Sequence, residues 1–299
     1  MKPAISVTNF SKNFGYKQVI HDLSFEVEQG EIFAFLGANG SGKTTTLRTL
    51  LGIYQPDKGE LLVNGEKYSS SHSQILGYLP EERGLYLDSL VLDTLVYFGQ
   101  IKGLDAQTAK QRATEYLERV GLADKAKSKI KKLSSGQQQK IQLGITIINR
   151  PSLLVLDEPT KGLDPVNRLL LLDILKELNS AGSSIIFSTH QMEEAEKIAH
   201  RLLMIKDGRS ALYGKVDEVK SQFGENRVKL KFSGRLVPAK GLFAIDSQST
   251  NYAELTPTKK ATSQQILTYL VESGIQIYHF EMASPSLNEI FIEVSQGRI

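Results

Sequence analysis

The sequence contains no cysteine. This absence excludes disulfide bonds, thiolate nucleophiles and cysteine-ligated zinc or iron–sulfur sites, and it is compatible with a reducing compartment. The five histidines are scattered along the chain and form no pair with metal-ligand spacing.

Long apolar runs are also missing. No uninterrupted apolar stretch approaches the roughly 18 residues of a membrane helix, and the first residues lack the apolar segment of a signal peptide, so any membrane role is expected to be peripheral. The charge is nearly balanced, with 36 Lys plus Arg against 33 Asp plus Glu, which is too little excess to predict nucleic-acid binding. With 40% hydrophobic and 23% charged residues, the 299-residue chain has the composition of a folded globular protein of about two domains.

Hydrophobic patterning predicts α/β structure in the first half of the chain. Alternating apolar residues around 5–7 and 25–27 predict an antiparallel strand pair, with Asp22 and Gly30 at turns. A continuous apolar run at 32–36 predicts a buried strand, and leucines at helical spacing after residue 46 predict a helix. Residues 37–42 therefore form a glycine-rich loop between a strand and a helix. Helical spacing with many charges at about 88–150 predicts a helical subdomain.

The second half predicts a βαβ unit followed by a separate module. Apolar runs at 153–156 and 185–187 flank an amphipathic helix at 169–178, which indicates parallel strands of a doubly wound sheet. After Gly224 alternating strands surround a helix at about 263–273, and a last helix is expected to begin at Ser284-Pro285-Ser286. We predict a domain of residues 1–224 and a small C-terminal α+β domain of residues 225–299.

The glycine-rich loop has the residues of a phosphate site. The run Gly37-Ala38-Asn39-Gly40-Ser41-Gly42-Lys43-Thr44 fits G-x-x-x-x-G-K-[ST]. Its glycines let backbone N–H groups point at phosphate oxygens, Lys43 adds a positive charge near the β- and γ-phosphates, and the Thr44 hydroxyl can bind Mg²⁺. The alternative, a flexible glycine turn, is disfavoured by the strand–loop–helix context.

The strand at 153–156 ends in two acids, Asp157 and Glu158. A buried strand carries charges at its C-terminal tip only where something balances them, and a metal and a water are the natural candidates. We expect Asp157 to hold Mg²⁺ and Glu158 to orient or deprotonate the water that attacks the γ-phosphate. The alternative is a pair of acids that only cap the strand end and the following loop; the phosphate loop favours the first interpretation.

Further motifs point to one family. Leu133-Ser134-Ser135-Gly136-Gln137, followed by the strand ending in Asp157-Glu158, resembles the signature and Walker B motifs of ABC-type ATPases. Gly162-Leu163-Asp164 is similar to the D-loop, and Ser188-Thr189-His190 to the switch histidine. The resemblance covers residues 1–220. It implies an α/β P-loop NTPase of ABC type, with a mixed sheet core, an antiparallel β subdomain and a helical subdomain, plus the C-terminal α+β module.

The resemblance implies two copies paired head to tail around two ATP molecules, with Ser134, Gly136 and Gln137 acting in trans. His190 would sense the γ-phosphate, a structural histidine being the alternative. Phe14 matches the aromatic residue that stacks on adenine; Tyr16 competes for this role, and a core position is the alternative. The predicted nucleotide site comprises Phe14, Gly37, Asn39, Gly40, Ser41, Gly42, Lys43, Thr44, Thr45, Glu81, Ser134, Ser135, Gly136, Gln137, Asp157 and Asp164.

Two positions depart from the family pattern. Glu81 follows Leu79-Pro80 where the Q-loop usually has Gln, and Ser135 stands where glycine is commoner. Glu81 keeps an oxygen for Mg²⁺ but adds negative charge beside the nucleotide. The alternative is a solvated acid in a charged loop with Glu82 and Arg83. The predicted metal ligands are Thr44, Glu81 and Asp157.

The run at 77–86 and the tail at 285–291 are similar to an exporter subgroup that includes the sodium-efflux type. We therefore expect the ATP-binding and ATP-hydrolysing subunit of an ABC exporter, using ATP and Mg²⁺, at the inner face of the cell membrane. Its expected partners are transmembrane permease subunits and a second copy of itself, with no nucleic acid. The alternatives are a soluble ABC-type ATPase acting on ribosomes or DNA and a regulatory module that binds ATP without hydrolysing it.

Overall fold

The computed structural model describes residues 2–82, 84–223, 227–258, 261–283 and 285–296. The chain divides into two compact units, Met1–Lys215 and Val216–Ile299, called here the N-terminal and C-terminal units. The predicted boundary at Gly224 falls on a residue outside the described ones and stays a prediction. Arg83 and Ser284, which two of the sequence predictions include, lie outside the described residues as well.

The N-terminal unit alternates strands and helices. In chain order its main elements are β1 (Ile5–Phe14), β2 (Lys17–Val27), β3 (Ile32–Leu36), α1 (Lys43–Leu50), β4 (Lys58–Val63), β5 (Leu76–Leu79), α2 (Val91–Ile101), α3 (Ala106–Arg119), α4 (Ser135–Ile147), β6 (Leu153–Asp157), α5 (Pro165–Ser180), β7 (Ser184–Thr189), α6 (Met192–Ile198), β8 (Arg201–Lys206) and β9 (Arg209–Lys215).

The predicted antiparallel β subdomain is a sheet of order β2-β1-β4. Ile5 lies opposite Val27 of β2 and Val63 of β4, so alternate residues form one apolar face. The prediction of a turn at Asp22 is wrong, because Asp22 lies inside β2 with φ of 49°. The β1–β2 register shifts nearby, and a bulge can place a residue at positive φ without ending the strand.

A mixed sheet of order β5-β6-β7-β3-β8-β9 forms the centre of the unit. The first five strands in this order, from β5 through β3 to β8, pair in parallel, and β9 pairs with β8 in the antiparallel sense. Every residue of β3, β6 and β7 is buried, as their continuous apolar runs predict. Since these three strands are neighbours and parallel, their carboxyl ends meet at one sheet edge, which is the usual place for a ligand site in such a fold.

The helical subdomain contains α2, α3 and α4. Gly144 of α4 is pressed against the Tyr116 ring of α3, where an added Cβ would come within 2.4 Å of a ring atom. The Tyr116 hydroxyl donates to the carbonyl of Lys140 at 2.6 Å. Lys102, just after α2, donates to the carbonyls of Ile145 and Thr146 near the end of α4. Burial lowers the pKa of the Lys102 amine to about 8.

The elements of the C-terminal unit are α7 (Val216–Gln222), β10 (Arg227–Ser233), β11 (Phe243–Gln248), β12 (Tyr252–Pro257), α8 (Ser263–Glu272), β13 (Gln276–Ala283) and α9 (Leu287–Ser295). Its strands form an antiparallel sheet of order β11-β12-β10-β13. A core of buried apolar residues that includes Val228, Phe232 and Ile266 packs the sheet against α8. Ser286 caps the last helix by accepting the N–H of Glu289, and the predicted helices are present. Strands β11 and β12 were not predicted from the sequence.

Candidate functional site

The glycine-rich loop leaves β3 at the shared sheet edge and enters α1. Gly42 precedes the first residue of α1 with φ of 110°, and an added Cβ would lie 2.2 Å from Cδ1 of Ile20 in β2. At Gly37 an added Cβ would lie 2.6 Å from the carbonyl oxygen of Ile205 in β8. Glycine is therefore favoured at Gly37 because a side chain would meet backbone, and at Gly42 because φ is positive and a side chain would displace Ile20.

The Lys43 side chain folds back over the loop that precedes it. Its Nζ donates to the carbonyls of Gly37 at 2.8 Å and Ala38 at 3.2 Å, and it lies 3.8 Å from Oε1 of Glu158. Burial lowers the pKa of the amine, and the negative charges of Glu158 and Asp157 oppose this shift. A cation is therefore held in place at the loop before any anion binds.

Asp157 ends β6 fully buried. Its Oδ1 accepts a hydrogen bond from the Ser188 hydroxyl of β7 at 2.5 Å, whereas its buried Oδ2 has no hydrogen-bond partner among the described residues. The same is true of the buried Oγ of Ser41 in the loop. Burial raises the pKa of Asp157, and the hydrogen bond from Ser188 and the nearby Thr44 hydroxyl oppose this shift. A buried carboxylate oxygen without a partner, beside a threonine hydroxyl, fits a magnesium site.

Glu158 and His190 are in direct contact. The Nδ1 atom of His190 lies 2.9 Å from Oε2 and 3.1 Å from Oε1 of Glu158. The backbone N–H of Glu158 donates to the carbonyl and hydroxyl of Ser188, so adjacent strands fix both residues. Glu158 also has φ of 50°, an uncommon conformation for a side chain other than glycine and one that clusters at active sites. The structure thus brings the predicted base and the predicted switch residue together.

Glu81 follows β5 and forms an ion pair with Lys161, with 2.6 Å between Oε1 and Nζ. The loop around Glu81 is fixed by the buried Gln142 of α4, whose Nε2 donates to the carbonyls of Pro80 and Glu82 at 3.2 Å each. Glu81 is thus held in an ordered loop and has a cation beside it.

Several of these residues line one cleft of about 380 Å³, a volume within the usual range for small-molecule sites. The lining residues are Val19, Asn39, Gly40, Gly42, Lys43, Thr44, Thr45, Glu81 and Glu158. The structure therefore brings together the phosphate loop, Glu158, which directly follows β6, and Glu81.

The predicted signature residues lie elsewhere. Ser134 is the N-cap of α4: its Oγ accepts the N–H of Gln137, and its own N–H donates to Oε1 of Gln137. Ser135 is the first residue of α4, and an added Cβ at Gly136 would lie 3.3 Å from the Gly162 carbonyl. Among the residues that line the cleft, none comes from this motif. The isolated chain thus leaves the signature outside its own cleft.

Asp164 and Phe14 are also outside the lining residues. Asp164 is the N-cap of α5, and hydrogen bonds from the N–H groups of Asn167 and Val166 lower the pKa of its carboxyl. Phe14 ends β1 and is 43% exposed, with the edge of its ring against Tyr54. Phe14 is therefore not a core residue, and Tyr16, at the turn beyond it, is fully exposed.

This chain is similar in sequence and in fold to known proteins. The family model described as "ABC transporter" matches residues 20–161, and the model of the "ATP-binding protein DrrA1-3-like, C-terminal domain" matches residues 214–295. An uncharacterized ABC transporter ATP-binding protein of Methanocaldococcus jannaschii is 45% identical over 73% of this chain and 80% of its own length. The chain belongs to the family of ABC transporter ATP-binding proteins.

Two other relatives of this ABC protein bear on its fold and role. The Nod factor export ATP-binding protein I of Burkholderia lata is 41% identical over 70% of each chain. A solved structure titled as the ATP-binding subunit of an ABC transporter is 28% identical, covers 74% of this chain and 93% of its own, and superimposes with a TM-score of 0.69. The predicted ABC-type fold is confirmed. The family binds and hydrolyses ATP, so the prediction of an ATPase is also confirmed.

The residues of this ABC protein that the structure describes contain no helix long and apolar enough to cross a bilayer.

Sequence reasoning missed a buried acid of this ABC protein, Glu194 of α6. Its Oε1 accepts from the Thr160 hydroxyl at 2.6 Å and its Oε2 from the Thr189 hydroxyl at 2.9 Å, while Nε of Arg168 lies 3.5 Å away. Burial raises the pKa of Glu194, and the two threonines oppose this shift. The available signal was an acid four residues before Ile198, on the apolar face of a short helix.

Proposed function

We propose that this chain is the ATP-hydrolysing subunit of an ABC exporter and that the cleft beside Lys43 binds ATP with Mg²⁺. The observation that carries the proposal is the convergence of a buried lysine, a carboxylate oxygen without a partner and a Glu–His pair at one sheet edge. These groups match the needs of phosphoryl transfer to water, in which positioning and charge stabilisation supply most of the catalysis.

Each side chain has a role that its position supports. Lys43 and the loop N–H groups would bind the β- and γ-phosphates, and Phe14 would stack on the adenine. Thr44, Asp157 and Glu81 would hold Mg²⁺, which when bound neutralises phosphate charge. Glu158 would orient the attacking water and accept its proton, because its carboxylate lies beside both Lys43 and His190. His190, whose side chain is 47% exposed, would contact the γ-phosphate from the other side.

The position of the signature supports a dimer of this chain. Ser134, Ser135, Gly136 and Gln137 begin a helix whose N-terminus suits an anion, yet they are absent from the lining of the described cleft. A second copy, turned head to tail, would place its signature and its Asp164 over the nucleotide of the first. Closure would be driven by ATP, because a ligand shifts such an equilibrium only through higher affinity for one state.

The direction of transport rests on the relatives. One is a Nod factor export ATP-binding protein, and its similarity covers 70% of this chain. We extend export to this chain, with permease subunits that supply the membrane pathway and hold the protein at the membrane. Purification from native membranes in mild detergent tests this extension. A stoichiometric multi-span protein supports it, whereas ribosomal or DNA-repair proteins without a membrane partner contradict it.

The site itself is tested by two substitutions. Lys43→Ala should abolish ATP binding, since the phosphates lose their cation, and an unchanged affinity would refute the assignment of the loop. Glu158→Gln keeps the shape of the side chain, so it should bind ATP, stall hydrolysis and accumulate a dimer by light scattering. A monomer at saturating ATP together with normal turnover would contradict both the base and the dimer.

A further inference from the structure

The acid at position 81 has a cation as its direct neighbour. Oε1 of Glu81 lies 2.6 Å from Nζ of Lys161, and the two side chains are 34% and 55% exposed, respectively. Because both remain accessible to water, the pair can separate without leaving a buried charge unpaired. The ion pair can therefore open at low cost in free energy.

The backbones that carry the two partners are fixed. Gln142 holds the carbonyls on both sides of Glu81, and the N–H of Lys161 donates to the carbonyl of Glu158 at 3.1 Å. Only the two side chains therefore need to move for the pair to break.

Glu81 adds negative charge to a cleft that already contains acids. It lines the cleft together with Glu158, and its charge acts on both Lys43 and Asp157. A triphosphate that enters without metal meets two lining carboxylates, those of Glu81 and Glu158, and one lining lysine, Lys43, so like-charge repulsion opposes its binding. A neutral glutamine at position 81 would remove one of these charges.

We infer that Lys161 neutralises the Glu81 carboxylate in the absence of metal and releases this carboxylate to Mg²⁺ when Mg²⁺ and ATP bind. The inference rests on the proposed function, because it requires ATP in this cleft. Lys161 and Mg²⁺ then compete for the same carboxylate oxygen. Removal of Lys161 should make ATP binding depend more strongly on divalent metal.

Equilibrium binding of a fluorescent ATP analogue, in EDTA and in Mg²⁺, tests the inference with wild type, Lys161→Met, Glu81→Gln and the double variant. In EDTA, Lys161→Met should weaken binding about two- to fivefold, the range of a partly exposed ion pair, and in Mg²⁺ the loss should be smaller. In the Glu81→Gln background, Lys161→Met should have no further effect. Lys176→Met removes an equal charge on the exposed side of α5 and should match wild type.

The other possible results of these binding measurements would contradict either the inference or the proposed function. An equal loss from Lys161→Met with and without Glu81 would show that Lys161 acts on the nucleotide itself, which overturns the inference. Unchanged binding of Lys161→Met in EDTA also overturns it. If wild type binds no nucleotide under either condition, the proposed function fails, and the inference fails with it. Thermal unfolding of all the proteins without nucleotide separates these results from loss of fold.

Discussion

Glu194 offers the sharpest test of how the loops that carry the proposed catalytic residues are held. Thr160 lies two residues after Glu158, and Thr189 lies immediately before His190. Glu194 accepts a hydrogen bond from each of these threonines, so one buried carboxylate anchors both loops. We predict that Glu194→Ala destabilises the protein and that Glu194→Gln impairs hydrolysis more than ATP binding.

The size of the first effect follows from the contacts. Glu194→Ala removes two hydrogen bonds to a charged acceptor and leaves two fully buried hydroxyls and the Arg168 guanidinium without this partner. Breaking a buried charged contact of this kind costs about 3–5 kcal/mol of unfolding free energy. Glu194→Gln keeps one accepting oxygen but turns the other into a donor that faces a threonine hydroxyl, so a loss of about 1–2 kcal/mol is expected.

Urea unfolding, ATP affinity and steady-state ATP hydrolysis together test this prediction. Glu194→Gln should retain ATP affinity, because Lys43 and its loop are untouched, and should lose at least about tenfold in turnover, because small displacements of a positioned base are costly. Glu193→Gln is the matched control, since Glu193 is exposed on the same helix. If Glu194→Gln has wild-type stability and turnover, or if Glu193→Gln is equally impaired, then Glu194 does not position the loops.

Two further predictions concern packing and a buried amine. Gly42→Ala should weaken ATP binding by at least about tenfold, because its Cβ would lie 2.2 Å from Cδ1 of Ile20 at a φ of 110°. Binding of a fluorescent nucleotide measures this loss. Adding Ile20→Val should restore only part of the affinity, since the strained φ remains. The Lys102 pKa falls to about 8 in the folded state, so the unfolded state binds the proton more tightly. Between about pH 8 and 10 the stability of wild type should rise relative to Lys102→Met by up to about 1.4 kcal/mol per pH unit, measured by urea unfolding; a constant difference would contradict this.

The local patterns of the sequence were sufficient to predict the central elements. Continuous apolar runs predicted the buried strands β3, β6 and β7, because strands covered on both faces need no alternation. The phosphate loop and the two acids were predictable because each lies directly after such a strand. The assignment of Asp22 to a turn failed because a bulge gives the same local residue signal as a turn.

The contacts that hold the site together could not be predicted in the same way. The hydrogen bond from Ser188 to Asp157 and the ion pair between Glu81 and Lys161 join residues 31 and 80 positions apart in the chain. Such pairs depend on strand order and loop paths, which no local pattern contains. The departure at Glu81 indicated only an added negative charge, and the fold was needed to identify Lys161 as its partner.

Helix α4 links the predicted signature to both sides of the cleft. Gln139 donates to the carbonyl of Pro159, next to Glu158, and Gln142 donates to the carbonyls on either side of Glu81. Both glutamines are buried, so breaking these bonds would leave polar groups without partners at a cost of about 1–3 kcal/mol each. A displacement of α4 therefore either carries the Glu81 and Glu158 loops with it or breaks these bonds. Because Ser134 lies at the start of α4, a contact that displaces Ser134 would also act on the residues beside the cleft.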